Sequence, residues 1–208
     1  MSSTSLQRLS GISLLVGSVL AIAGGILGIF SSNPADSMGI VGSLIQFIGA
    51  TLVILGLPGM YARQAQRAGI PGLIGTALMI CYILILGAFG SALNAVLLPF
   101  IATHAPALAQ SEPPGLGIFF MVGGLLGALG GISLGLSTIR ASILPRWAGV
   151  LLMGSVIQVV GDFFQSPIAN LGFMLVMIGF VWLGIALLAS EQHDARVQSE
   201  FSTSATRV

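Results

Sequence analysis

LGIFFMVGGLLGALGGISLGLSTIR, residues 116–140, is an apolar run long enough to cross a bilayer, whose core of about 30 Å takes about 20 residues of helix. Within it Gly123, Gly127, Gly131 and Gly135 recur at every fourth position. On a helix that spacing predicts a bare ridge along which a neighbouring backbone approaches with no side chain between. Each glycine costs about 1 kcal/mol of helix propensity relative to alanine. Four in register therefore point to a compensating interaction, either close helix packing on the ridge or a ligand lying flat against it.

The surrounding chain has the same character. Of its 208 residues 55% are hydrophobic and only 6% charged, with a mean hydropathy of +1.04. Soluble domains carry about 25% charged residues, so a water-soluble globular fold is excluded and a polytopic membrane protein is predicted. A net charge of +1 with dispersed charges gives no basic patch for nucleic acid. The single cysteine, Cys81, rules out an intrachain disulfide and reads as a small core-filling side chain.

Six stretches are long enough to span: about 9–30, 39–61, 71–98, 116–139, 146–165 and 168–189. The predicted fold is all-α, six transmembrane helices in an antiparallel bundle over residues 1–190, with a polar cytoplasmic tail at 191–208. The breaks carry turn chemistry: Ser31 to Asp36, Arg63 to Pro71, a longer segment with His104, Pro106, Glu112, Pro113 and Pro114, then Arg140 to Pro145 and Ser166-Pro167. The charges agree. With a cytoplasmic N-terminus, Arg8, Arg63, Arg67, Arg140, Arg146, Arg196 and Arg207 all fall inside, and only Asp36, Glu112 and Asp162 fall outside. Both termini are thereby expected in the cytoplasm and the chain in the inner (plasma) membrane. The first apolar run also suggests a signal peptide, but it continues to Phe30, beyond the usual signal core, and is read as a retained helix.

Residues 8–19 and 146–156 share an opening, Arg8-Leu-Ser-Gly11 before LLVGSV and Arg146-Trp-Ala-Gly149 before LLMGSV, with one residue of slippage. This reads either as a duplicated hairpin or as the common look of glycine-rich helices that start at an arginine. The six short-looped helices, and Leu144-Pro145-Arg146-Trp147-Ala148-Gly149 opening the fifth, resemble bacterial integral membrane proteins grouped as a domain of unknown function. The resemblance implies a six-helix inner-membrane bundle and carries no activity.

Polar groups inside apolar spans are expensive and mark candidate sites. Here they are Gln46, Asn94, Gln158, Asp162 and Gln165, all expected in the outer half of the membrane. Gln158, Asp162 and Gln165 stand at i, i+4 and i+7 and share a helix face. The inner half is expected to hold only serine and threonine, such as Ser13, Thr76, Ser133 and Thr138, bonded back to their own helices. The outer groups form either a vestibule with Asp162 as its one charge, or interhelical hydrogen bonds of about 0.6 to 2 kcal/mol each.

His104 and His193 fall on opposite sides, so no metal or haem site is expected, and no catalytic constellation, phosphate loop or cofactor motif is present. Two functional classes follow. The first is a non-enzymatic accessory or scaffold subunit that packs through its glycine ridge against other membrane proteins, lipids, pigments or a second copy. The second is a small transporter or permeation pathway for an uncharged or amphiphilic solute, reached from the outer side.

Overall fold

The computed structural model describes residues 3–31, 33, 36–109, 113–164 and 166–205. Among them every regular element is helical. Four helices are long and apolar enough to cross a membrane: Ser5–Ile29, Ser37–His104, Gly115–Ala141 and Ile168–Ala189. The principal elements are α1 (Ser3–Ile29), α2 (Ser37–Tyr82), α3 (Pro114–Ala141), α4 (Arg146–Leu152), α5 (Gly154–Phe163) and α6 (Ile168–Ala205). After Tyr82, α2 is prolonged through π-helical Ile83–Phe89, Gly90–Ala92, π-helical Leu93–Leu97 and Leu98–His104.

The run Ser37–His104 has 68 residues, which would reach about 100 Å if straight. It is bent double instead. Gly69 has φ 59° and ψ −158°, a conformation open essentially to glycine alone, and it divides α2 into legs 37–68 and 70–82. The legs lie against each other: Gly72 faces the Tyr61 ring, and Gly87, in the rod that prolongs the second leg, faces Ala50. The segment 62–70, expected as a connection, is therefore helical on both sides of a one-residue reversal. Tyr61 holds the turn, its hydroxyl donating to the Gly69 carbonyl at 3.3 Å.

The stretch 146–165, read from the sequence as one helix, is divided as well. At Met153 ψ rises to −9° and the backbone N–H bonds the Val150 carbonyl at 3.1 Å, a tightened turn between α4 and α5. Ahead of it, Ser142 takes a left-handed conformation, φ 52°, at the end of α3. Arg146 donates to the Ser142 hydroxyl from Nε at 3.2 Å and from a terminal nitrogen at 3.0 Å, bracing that turn.

Glycine lines the seams between helices. Along α1 and the first leg of α2, Gly17 meets Gly49, Gly24 meets Gly42, and Gly56 meets Ser10 and Leu14, so the pairs climb one helix as they descend the other. The second leg meets α3 at Gly75 and Leu134 and at Gly130 and Met79. α3 meets α4 at Gly135 and Gly149, and α5 at Gly131 and Ser155. α5 meets α6 at Gly154 and Gly172, and α6 returns to α1 at Gly184 and Gly11. The elements form a closed circuit in which chain neighbours touch and the last helix covers the first.

The two arginine-led hairpins differ in register. Gly17 opposes Gly49, whereas Gly154, which follows the matching opening, opposes Gly172, much nearer to it along the chain. The resemblance of their openings does not extend to a common packing.

The four-residue ridge of α3 does not face a single partner. Gly123 lies on Ile85 and Gly127 on the Tyr82 ring, whereas Gly131 lies on Leu152 and Ser155 and Gly135 on Gly149 and Met153. A four-residue step overshoots a 3.6-residue turn by about 40°, so three steps carry the ridge about 120° around the helix, from one neighbour to the next. Both neighbours belong to this chain.

One end of the bundle gathers Arg8, Arg63, Arg67, Arg140 and Arg146. Ser10 sits against Gly59, Gln64 Nε2 donates to Thr138 Oγ1 at 3.4 Å, and the Ser133 hydroxyl donates to the Pro71 carbonyl at 2.8 Å. Gln64 corrects the expectation that this half holds only serine and threonine. It is fully buried, because the helix runs four residues beyond it before turning at Gly69, and its Oε1 has no partner among the described residues. Thr76 does bond back to its own helix, at 2.8 Å, whereas Ser133, expected to do the same, bonds to the second leg of α2 instead. Cys81 also departs from its reading as a core residue. It is exposed on the outer surface, next to the fully turned-in Tyr82.

At Gly49 an added Cβ would lie 2.5 Å from the Ala21 nitrogen and 2.6 Å from the Gly17 carbonyl, whereas at Gly115 it would meet nothing within 4 Å. Gly49→Ala is therefore expected to lower stability by about 1 to 3 kcal/mol, the usual cost of overpacking, and Gly115→Ala to leave it unchanged. Thermal unfolding of both variants in mild detergent, followed by circular dichroism, checks the difference.

Candidate functional site

At the end opposite the arginines the helices separate around a cavity of about 350 Å³. That volume falls in the range of small-molecule sites, roughly 300 to 1,000 Å³. Each helix that lines it contributes residues at helical spacing, so the cavity is built from faces and not from loops. α1 supplies Ala21, Gly25 and Gly28, and the first leg of α2 supplies Ser43, Gln46 and Ala50. The second leg and its π-helical continuation supply Tyr82, Ile83, Leu86, Gly87 and Asn94. α5 gives Gln158 and Asp162, and α6 gives Asn170, Phe173, Met174 and Met177.

Four of the five polar residues singled out from the sequence thus converge on one space: Gln46, Asn94, Gln158 and Asp162. They come from three widely separated parts of the chain. Gln165 lies outside the described residues. Three lining groups were not foreseen. Tyr82 stood in an apolar run with no polar neighbour at helical spacing, so nothing local distinguished it. Ser43 looked like any serine bonded to its own helix. Asn170 was legible in principle, because a tight turn at Ser166-Pro167 sets the start of α6 beside the end of α5, where Asp162 stands.

Polarity is graded with depth. Asn94, Asp162 and Asn170 are exposed at the rim, Gln46 and Gln158 are half-buried, and Tyr82 is buried at the floor. The Tyr82 hydroxyl donates to Gln158 Oε1, joining the second leg of α2 to α5 across the cavity bottom. Below this bond, Val53, Met79 and Phe180 each stand one helical turn from a lining residue, and all three are fully buried. With Leu14, Leu57, Leu134 and Leu152, also fully buried, they form an apolar plug toward the arginine end.

The upper end is open. A second hollow of about 270 Å³ shares Gly28, Ser43 and Asn94 with the cavity and continues to Ser31 and Asn33 in the turn between α1 and α2. The Ser31 hydroxyl donates to the Asn33 carbonyl at 3.0 Å, and Asp36 caps α2 by accepting from the Met38 N–H at 3.3 Å.

α3 does not line the cavity but shapes it. Gly127 lies under the Tyr82 ring, and a Cβ there would stand 2.8 Å from ring carbons. The missing side chain lets the ring lie against α3 while its hydroxyl reaches Gln158. One member of the ridge read from the sequence therefore serves the cavity floor. The two π-helical stretches stand on the cavity wall, where Ile83, Leu86, Gly87 and Asn94 belong to them; such widened turns recur at functional sites. Among the described residues no group of three or more histidine, cysteine, aspartate or glutamate side chains is placed to hold a metal ion. The chemistry available is hydrogen bonding from amides and hydroxyls, one carboxylate, and apolar contact.

Tyr82→Phe removes the floor hydrogen bond and is expected to cost about 1 kcal/mol, the usual worth of a polar contact between membrane helices. Gly127→Ala, which pushes the ring away from α3, is expected to lower the thermal midpoint further and to keep most of that effect in a Tyr82→Phe background, because the clash is with ring carbons that phenylalanine retains. A double-mutant cycle on detergent melting curves checks this.

No family model matches the chain, and no curated protein or solved structure matches it.

Proposed function

We propose that this chain is a six-span protein of the plasma membrane, antiparallel in its helices and with both termini on the arginine side, that takes a small amphiphilic solute into a vestibule on the outer side as a transporter or permeation pathway. The observation that carries the reading is the convergence of Gln46, Asn94, Gln158 and Asp162 on one cavity. If these groups served only to fasten helices, their hydrogen bonds would be made to one another at closed seams. Instead, among the described residues, only Gln158 is bonded, to Tyr82, and the others face a hollow. The division of Ser37–His104 at Gly69 and the joining of α4 to α5 through Met153 support a count of six spans. The arginines at one end support the orientation through the positive-inside rule.

The accessory-subunit reading draws on the glycine ridge, the lack of sizeable soluble domains and the poverty of reactive groups. Helices of the same chain cover that ridge, so it offers no bare face to another protein or pigment. Lipid contact is provided by the outer surface, where Leu55, Val96, Ile118, Phe163 and Trp147 are each more than 60% exposed.

Cysteine labelling tests the vestibule. In a Cys81→Ser background, Gln158→Cys and Asn94→Cys are expected to react with a membrane-impermeant thiol reagent added outside, Asn94→Cys faster. Leu57→Cys, within the plug, is expected to stay unreactive from either side. An inert Gln158→Cys removes the reading.

A further inference from the structure

We propose that the vestibule is selective for small organic cations, an ammonium head carried on an apolar body. This rests on the vestibule reading above and names its ligand class. Among the described residues Asp162 is the only charged side chain on the cavity wall, and no cationic side chain lines it. The arginines that could neutralise it, Arg8, Arg63, Arg67, Arg140 and Arg146, are gathered at the far end of the bundle, beyond the apolar plug. The molecule is therefore polarised along its axis, with the carboxylate at the open mouth. Such a cleft, walled by low-dielectric side chains, concentrates ions of one sign.

The remaining wall fits what a simple metal ion would not need. Below Asp162 the α6 face presents Phe173, Met174 and Met177, and the opposite wall presents Ile83 and Leu86. A phenyl ring attracts a desolvated ammonium group through its face. Methionine is soft and adaptable, and repacks around apolar bodies of different shape. Gly25 stands against the Phe173 ring without a side chain, leaving room for the ring beside α1. Head and body are thus addressed by different residues at different depths: Asp162 with rim amides Asn94 and Asn170 for the charge, and the sulfur and aromatic surface for the body.

The test uses the full-length protein in lipid nanodiscs and two probes of one shape. Choline carries a fixed positive charge, and dimethylbutanol replaces its quaternary nitrogen with carbon. By titration calorimetry choline is expected to bind about tenfold or more tightly than the uncharged probe. Asp162→Asn is expected to abolish that preference while leaving dimethylbutanol binding in place. Because the probe comparison is made first on the unmodified protein, it stands even if Asp162→Asn folds poorly. Choline should also slow thiol labelling of Gln158→Cys in the Cys81→Ser background. Equal binding of the two probes, no binding of choline, or a preference that survives Asp162→Asn overturns the proposal. If Gln158→Cys labels from outside and both probes protect it alike, cation selectivity falls and the vestibule stands; if Gln158→Cys does not label, the vestibule falls too.

Discussion

Close approach of helix backbones at glycine is the constraint on which the rest of the structure depends. In a membrane, apolar side chains gain nothing by leaving lipid for protein, so helices associate through dispersion, hydrogen bonds and shape. Here the dominant device is the absence of a Cβ. Gly49 lets Gly17 and Ala21 reach it, Gly75 receives the Leu134 backbone, Gly135 and Gly149 receive each other, and Gly172 receives Gln158. Each such contact brings two helices closer than side chains allow and multiplies the dispersion contacts around it. The circuit from α1 through α6 and back closes because every seam carries one.

The spacing of the glycines determines how far each seam runs. Gly42, Gly49 and Gly56 repeat every seventh residue, and that row drifts only about 20° per repeat, so it stays on α1 throughout. The ridge of α3 repeats every fourth residue and winds onto a second neighbour. A heptad row therefore makes a long two-helix seam, and a tetrad row makes a helix that bridges two neighbours. α3 has that bridging role between the second leg of α2 and the α4 to α5 pair.

The cavity is the complement of these seams. Toward the arginine end the bundle closes on Leu14, Val53, Leu57, Met79, Leu134 and Phe180. Toward the other end the helices part, and amides and a carboxylate occupy the space. Tyr82 marks the boundary, its ring held in the packed half by Gly127 and its hydroxyl reaching the polar half at Gln158. In the vestibule reading this boundary is the inner limit of the solute, and a pathway through the protein would require the plug beneath it to rearrange.

Much of this was legible in the residues and some was not. Hydropathy and low charge determined a helical, membrane-embedded chain, because length and apolarity are local properties that no tertiary contact reverses. Gln46, Asn94, Gln158 and Asp162 were recognisable as costly residues in apolar surroundings, since the cost arises wherever they point. Which neighbour covered the α3 ridge was not readable, because a helix row names a direction only once the adjacent helices are placed. Gln64 read as a loop residue because arginines surround it, and only the continued helix and its packing on Thr138 bury it. Tyr82 and Asn170 became part of a site through residues 76 positions away in one case and across a turn in the other. Composition and periodicity along the chain determined what each helix is made of. The meeting of helices, which depends on distances between residues far apart in sequence, decided that the polar groups share one cavity and that the glycines spend themselves within the chain.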